Sequence, residues 1–196
     1  MSNDSPKRTI RRAIKHRRAQ LTDREQSSAA KRLSANSRYC LPMLKADRVL
    51  SYAPFAGEIS PYDLLLPSKA DIYLPRISNY STSRMLFHKL VNSHENRWGI
   101  REPDKTGQIL PANAFRVILL PLVAFDRSGT RLGMGAGFYD RALASLSYQH
   151  STRPYLLGLA HHFQEVNSLV RAPWDVPLDA ILTDREFIEV VKPSVT

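Results

Sequence analysis

Apolar residues in this chain fall into short runs separated by polar turns, and their spacing changes from helical to strand-like near residue 48. In PKRTIRRAIKHRRAQL, Ile10, Ala13, Ile14 and Leu21 share one side of a helix. Thr22, with Glu25 three residues on, marks a capping box that opens a second helix over 23–39. The segments RVLSYAPF (48–55) and DIYLP (71–75) read as strands, with a short helix over 61–66 between them. MLFHKL (85–90) alternates, as a strand near a sheet edge would.

RVILLPLVAF (116–125) is almost continuously apolar, the pattern of a strand buried on both faces of a parallel sheet. A helix follows from Phe138, with Leu143 and Leu146 inward, and then strands at YLLGLA (155–160), AILT (180–183) and FIEVV (187–191). This succession predicts the α/β class: a three-layer α/β/α domain with a largely parallel sheet of Rossmann-like, open topology. At 196 residues and 43% hydrophobic content, with no linker-like stretch or repeat, one domain over 1–196 is expected, its basic helical arm (1–40) packed against the rest.

Between the 116–125 run and the helix at Phe138, Gly133, Gly135 and Gly137 alternate at the carboxyl end of a predicted strand, where open α/β sheets bind ligands. Glycine admits positive φ and close approach of backbone amides to an anion, so the turn is a candidate phosphate cradle; a flexible surface turn is the alternative. It is not a Walker A loop, because Gly137 precedes Phe138 and Tyr139 rather than Lys-Ser/Thr. Nor is it GxGxxG, since Phe138 stands where the last glycine belongs.

The formal charge of +10 is concentrated early: residues 1–48 hold 13 basic and 4 acidic residues, the remainder 15 and 14. Lys7, Arg11, Lys15 and Arg18 form a stripe along the first helix. It reads as a solvated face, as a nucleic-acid surface, or as a source of one or two cations for a nucleotide's phosphates. No helix-turn-helix, zinc spacing or RNP-type aromatic motif supports the second reading. The polar N-terminus and the lack of an eighteen-residue apolar run point to a cytoplasmic protein without a membrane partner, and the single cysteine, Cys40, permits no intrachain disulfide.

Candidate chemistry is carried by a few side chains. Glu58, past a strand end, is a carboxylate for a polar ligand or a plain loop acid. Asp140, beside the glycine turn, either associates with Mg²⁺ at a phosphate or stabilises a helix N-terminus. Asp175 is a second metal-neighbouring carboxylate or a turn residue, and Trp98 a stacking platform or core cover. His161 and His162 lack zinc spacing and read as polar loop histidines, and no GxSxG is present.

Together these residues resemble the 5-formyltetrahydrofolate cyclo-ligase family. The K-x-x-x-R element occurs as Lys7 and Arg11, the G-E-I element as Gly57, Glu58 and Ile59, and W-x-I-x-E-P as Trp98, Ile100, Glu102 and Pro103. The long signature PxxAFDxxGxRLGxGxGYYDR is matched from Pro121 to Arg141. The resemblance implies an ATP- and Mg²⁺-dependent conversion of 5-formyltetrahydrofolate to 5,10-methenyltetrahydrofolate by a monomer acting on small molecules. It implies that Lys7, Arg11, Arg131 and the loop Gly133, Met134, Gly135, Ala136, Gly137, Phe138 and Tyr139 hold ATP, with Arg131 and Tyr139 beside the reacting groups. Asp140 and Asp175 correspond to the Mg²⁺-associated carboxylates. Ala53, Glu58, Trp98, Met134, Gly135 and Tyr139 correspond to the folate site. Lys15, Arg17 and Arg18 keep the solvated reading. Three positions depart from the commonest pattern: Phe138 lacks a frequent hydroxyl, and Ala136 and Met134 offer no phosphate-binding side chain. The loop is thus expected to act through its backbone. A nucleic-acid module, or a family member that binds without turnover, are the alternatives.

Overall fold

The computed structural model describes residues 6–79, 81–82, 84–96, 99–144, 146 and 153–191. It opens with α1 (Pro6–Ala19) and α2 (Asp23–Asn36). The capping box between them is closed as expected: Thr22 Oγ1 accepts the Glu25 amide, and Glu25 Oε2 accepts the Thr22 amide at 2.8 Å. Past Asn36 the chain tightens into a 3₁₀ turn (Ser37–Tyr39) and then α3 (Leu41–Leu44), so the second helix ends before the expected residue 39.

The strands follow as β1 (Arg48–Leu50), β2 (Asp71–Asn79), β3 (Arg84–Lys89), β4 (Ser93–Glu95), β5 (Arg101–Pro103), β6 (Ile109–Leu110), β7 (Val117–Pro121), β8 (Ala124–Phe125) and β9 (Arg131–Leu132). After α4 (Phe138–Leu143) come β10 (Tyr155–Ala160), β11 (Ala180–Thr183) and β12 (Phe187–Glu189). Among the described residues the main sheet has the order β12-β11-β10-β7-β1-β2-β3-β6. Its centre, β11 to β2, is parallel, and β12, β3 and β6 are antiparallel additions at its two sides.

Period-two alternation along the central strands sorts their side chains between two apolar layers. Val117 and Leu119 of β7, with Leu157 and Leu159 of β10, pack with Ala29, Leu33 and Met43 on the side of α2 and α3. Ile118 and Leu120, with Leu156 and Ala160, pack with Leu143 and Leu146 on the side of α4. This is the expected mixed α/β layering about a mostly parallel sheet.

Three expectations are corrected. The strand expected over 48–55 ends at Leu50, freeing the chain to form a loop at the sheet's carboxyl edge. Residues 61–66 form a turn, not a helix: Leu64 bonds back to Pro61, while the Leu65 amide bonds to Ser37 Oγ of the 3₁₀ turn. The 116–125 run is not one strand, because at Leu122 it leaves the sheet and β8 pairs with β9 in a separate hairpin. Pro75 lies within β2 without loss, since it stands beyond the register with β1, which ends at Leu50 and Tyr73.

Candidate active site

The chain runs from β1 outward to β2 on one side, and later from β7 to β10 on the other, so the topology switches between β1 and β7. At such a point the loops after the two strands diverge and leave a crevice. Those loops are the Tyr52–Glu58 segment and the Leu122–Gly137 segment, and α1 crosses their ends. A cavity of about 520 Å³ lies there.

One wall is the Glu58 loop. Ala56 and Gly57 both have positive φ, 49° and 76°, which bends the chain sharply; a Cβ at Gly57 would come 2.9 Å from the Arg18 carbonyl oxygen. Gln26 Nε2 donates to the Gly57 carbonyl at 3.2 Å, and His161 Nε2 lies 3.3 Å from the same oxygen. Within the turn the Phe55 amide donates to Glu58 Oε2 at 3.1 Å. Burial raises the Glu58 carboxyl to a pKa of about 7, against the opposing pull of the Arg18 charge and the Phe55 N–H.

The opposite wall is the glycine turn. Gly135 (φ 108°) and Gly137 (φ 66°) use their freedom, and Gly137 caps α4. Arg11 Nε donates to the Gly133 carbonyl at 2.9 Å, tying α1 to the turn. Arg131, 6% exposed in its side chain, bonds to the Val176 carbonyl and places Nη2 2.5 Å from Asp140 Oδ1. Asp175 Oδ2 accepts the Ala172 amide at 2.8 Å, so this residue closes a turn and also lines the cavity. Burial, and then the Glu58 charge, push the Tyr139 hydroxyl well above its ordinary pKa of 10, and it stays protonated.

The cavity therefore brings together Lys7, Arg11, Ala53, Glu58, Arg131, the residues from Gly133 through Tyr139, Asp140 and Asp175. Trp98 lies outside the described residues. Ile100 of the W-x-I-x-E-P element joins an apolar lining of Tyr52, Phe55, Ile77, Met85 and Trp174, which no motif marks.

Arg18, expected in solvent, is 1% exposed, with Nη1 3.4 Å from the Leu122 carbonyl and 3.9 Å from Glu58 Oε1. Lys7, Arg11, Ile14 and Arg18 share the inward side of α1, whereas Ala13, expected inside, is exposed. The stripe is thus not a continuous outer face for nucleic acid, although Lys15 is exposed as expected. Arg17 is exposed as expected and stacks its guanidinium 4.2 Å over Phe163. His161 is buried rather than a surface loop residue, and burial lowers its pKa. His162, Glu165 and Glu186 bring ligand atoms within 4.8 Å of one another, but Arg127 binds both carboxylates at 2.7 Å and occupies that charge.

The site of this α/β protein is thus a switch-point crevice with cations and a glycine turn on one wall and the largely enclosed Glu58 carboxylate on the other. The 5-formyltetrahydrofolate cyclo-ligase family model matches residues 3–184, and the chain belongs to that family. It is 35% identical over 187 residues to the 5-formyltetrahydrofolate cyclo-ligase of Haemophilus influenzae, covering 92% of this chain and 98% of that protein. The Escherichia coli K12 protein of the same name is 35% identical over 184 residues, at 90% and 99% coverage. The solved 5,10-methenyltetrahydrofolate synthetase of Aquifex aeolicus superposes with a TM-score of 0.80 at 25% identity, over 97% of this chain and 95% of that one. The Mycoplasma pneumoniae synthetase shares the fold, with a TM-score of 0.69 at 24% identity over 91% and 99%. The chain is a ligase-class enzyme, and among its described residues no helix is long and apolar enough to cross a membrane.

Proposed function

We propose that this enzyme uses ATP and Mg²⁺ to cyclise 5-formyltetrahydrofolate to 5,10-methenyltetrahydrofolate, releasing ADP and phosphate. The observation that carries the reading is the meeting, in one cavity, of Lys7, Arg11, Arg131 and the glycine turn with Glu58. In this reading the formyl oxygen attacks the γ-phosphorus, the bond to ADP breaks, and an N5-iminium phosphate forms. N10 then attacks the activated carbon and loses its proton, and the carbon–oxygen bond breaks to release phosphate.

The chain's own groups suit that sequence. Lys7, Arg11 and Arg131 offset charge on the transferring phosphoryl group, and the Gly133–Gly137 backbone shapes the loop around it. The protonated Tyr139 hydroxyl is a hydrogen-bond donor there rather than a base. Glu58 accepts hydrogen bonds from the N–H groups of the folate, and Ala53 and the apolar lining take its flat body. Its full carboxylate charge develops above pH 7.

Asp140 and Asp175 supply hard oxygen donors on the same wall, and Asp140, with a side chain 38% exposed, is open to the cavity. As hard oxygen donors they would hold a Mg²⁺ beside the phosphates. When bound, the ion neutralises the phosphates and orients them. The Arg131–Asp140 ion pair orders this wall of the cavity in the ligand-free protein. Measuring ADP release with and without 5-formyltetrahydrofolate tests the proposal: release must depend on the folate, and folate-independent hydrolysis contradicts it.

A further inference from the structure

A buried guanidinium with incomplete partners destabilises a fold relative to an apolar side chain of similar length. Arg18 is such a group. Its side chain is fully enclosed, and neither Nε nor Nη2 has a hydrogen-bond partner. Its polar contacts are the Leu122 carbonyl at 3.4 Å, which also receives Gln164 Nε2 at 2.8 Å, and Glu58 Oε1 at 3.9 Å. Arg18 does not line the 520 Å³ cavity, whereas Glu58 lines both it and the neighbouring cavity on the Arg18 side.

The Glu58 backbone is fixed from behind by Gln26 and His161 on the Gly57 carbonyl, and by the close approach of Gly57 to the Arg18 backbone. Its two carboxyl oxygens are addressed from different directions, Oε2 by the Phe55 amide and Oε1 by Arg18. We infer that Arg18 is a positioning residue: from behind Glu58 it fixes the charge and aim of the carboxylate that faces the cavity. The inference rests on the folate reading of Glu58 only for what the carboxylate binds, not for the coupling itself.

The other groups facing Glu58 do not replace this role. Tyr52 and Tyr139 both stay protonated, because burial raises their hydroxyls. His161 is kept neutral by burial. Lys7, Arg11, Arg101 and Arg131 line the cavity itself, where a bound anion engages them, and Lys15, on the neighbouring cavity, is exposed to solvent. Arg18 is the cation that no ligand in this cavity can take away from Glu58.

The test follows the Glu58 carboxyl by ¹³C NMR in ligand-free protein, assigned by its loss in Glu58→Gln, together with calorimetric affinity for 5-formyltetrahydrofolate alone between pH 6 and 9. In Arg18→Met the Glu58 midpoint rises from about 7 by about one pH unit or more. Folate affinity at neutral pH falls by about tenfold, recovers at pH 9, and is unaffected by the substitution in a Glu58→Gln background. Arg18→Lys restores the midpoint. Arg18→Gln, which keeps a donor for Leu122, is a second neutral variant should the first fold poorly. An unchanged midpoint in both neutral variants overturns the inference, as does an affinity loss that is equal at every pH and persists beside Glu58→Gln. A shifted midpoint in protein that never binds the folate supports the role of Arg18 and contradicts the folate reading instead.

Discussion

Arg131 Nη2 stands 2.5 Å from Asp140 Oδ1, joining the strand before the glycine turn to the helix after it. Arg131 is enclosed and also bonded to the Val176 carbonyl, whereas Asp140 is partly open to the cavity. The pair thus fixes the turn from one side and leaves a carboxylate available on the other.

Asp140→Asn is expected to lower kcat about 100-fold and to flatten its dependence on Mg²⁺ concentration. The melting temperature should fall by no more than about 4 °C, because Arg131 keeps its carbonyl partner. A parallel fall in stability and activity would show that Asp140 serves only the helix terminus.

Glu58 gives a stability prediction with a definite sign. Its folded pKa of about 7 exceeds the ordinary 4.5, so the folded chain binds more protons than the unfolded chain between those values, and this group's contribution to stability falls as pH rises through that window. The stability of Glu58→Gln relative to the parent should therefore improve from pH 5 to pH 8, by an amount on the order of 2–3 kcal/mol. Folate affinity of the variant should be weaker at pH 8. Denaturant titrations at the two pH values check the first, calorimetry the second, and a pH-independent stability difference contradicts the buried-carboxyl account.

The three loop glycines should not behave alike. Gly133 has no positive φ requirement, and a Cβ added there would meet nothing within 4 Å, so Gly133→Ala leaves stability nearly unchanged. Gly135 has φ 108°, which strains any other residue even though its neighbours leave room, and Gly135→Ala is expected to cost about 1–3 kcal/mol. Urea denaturation of the two variants separates them, and equal stability would contradict the loop conformation.

Thr22→Ala removes the side-chain half of the capping box far from the cavity's chemistry. A fall of about 2–4 °C in melting temperature with unchanged kcat and KM is expected. Altered kinetics would mean that α2 transmits its end position to the Glu58 loop through Gln26.

The sheet's buried strands and both N-terminal helices were legible because each has a clear period and a turn at its end. Tyr155–Ala160 and Ala180–Thr183 match the expected strands residue for residue. The break at Leu122 was not legible, since Leu122 and Val123 remain buried after leaving the sheet, and apolar continuity cannot distinguish the two fates. Residues 61–66 carry three leucines, but only Leu64 is buried, and their amides are claimed by a distant serine and local turns. The glycine turn and the α1 cations of the cavity were legible because they sit in one long motif and one helix. Arg18 was not: its place on the inward side follows from the helical period it shares with Lys7 and Arg11, but its burial depends on Leu122 and Glu58, far along the chain.

In the proposed reaction the two walls of the cavity act together on one folate and one ATP. The near-UV absorbance of the methenyl product reads this out when purified protein meets 5-formyltetrahydrofolate, ATP and Mg²⁺, with ADP and phosphate quantified alongside. Equimolar product, ADP and phosphate are expected, and chelating the metal should abolish all three. Folded protein that binds both ligands and yields no methenyl absorbance would overturn the proposed reaction.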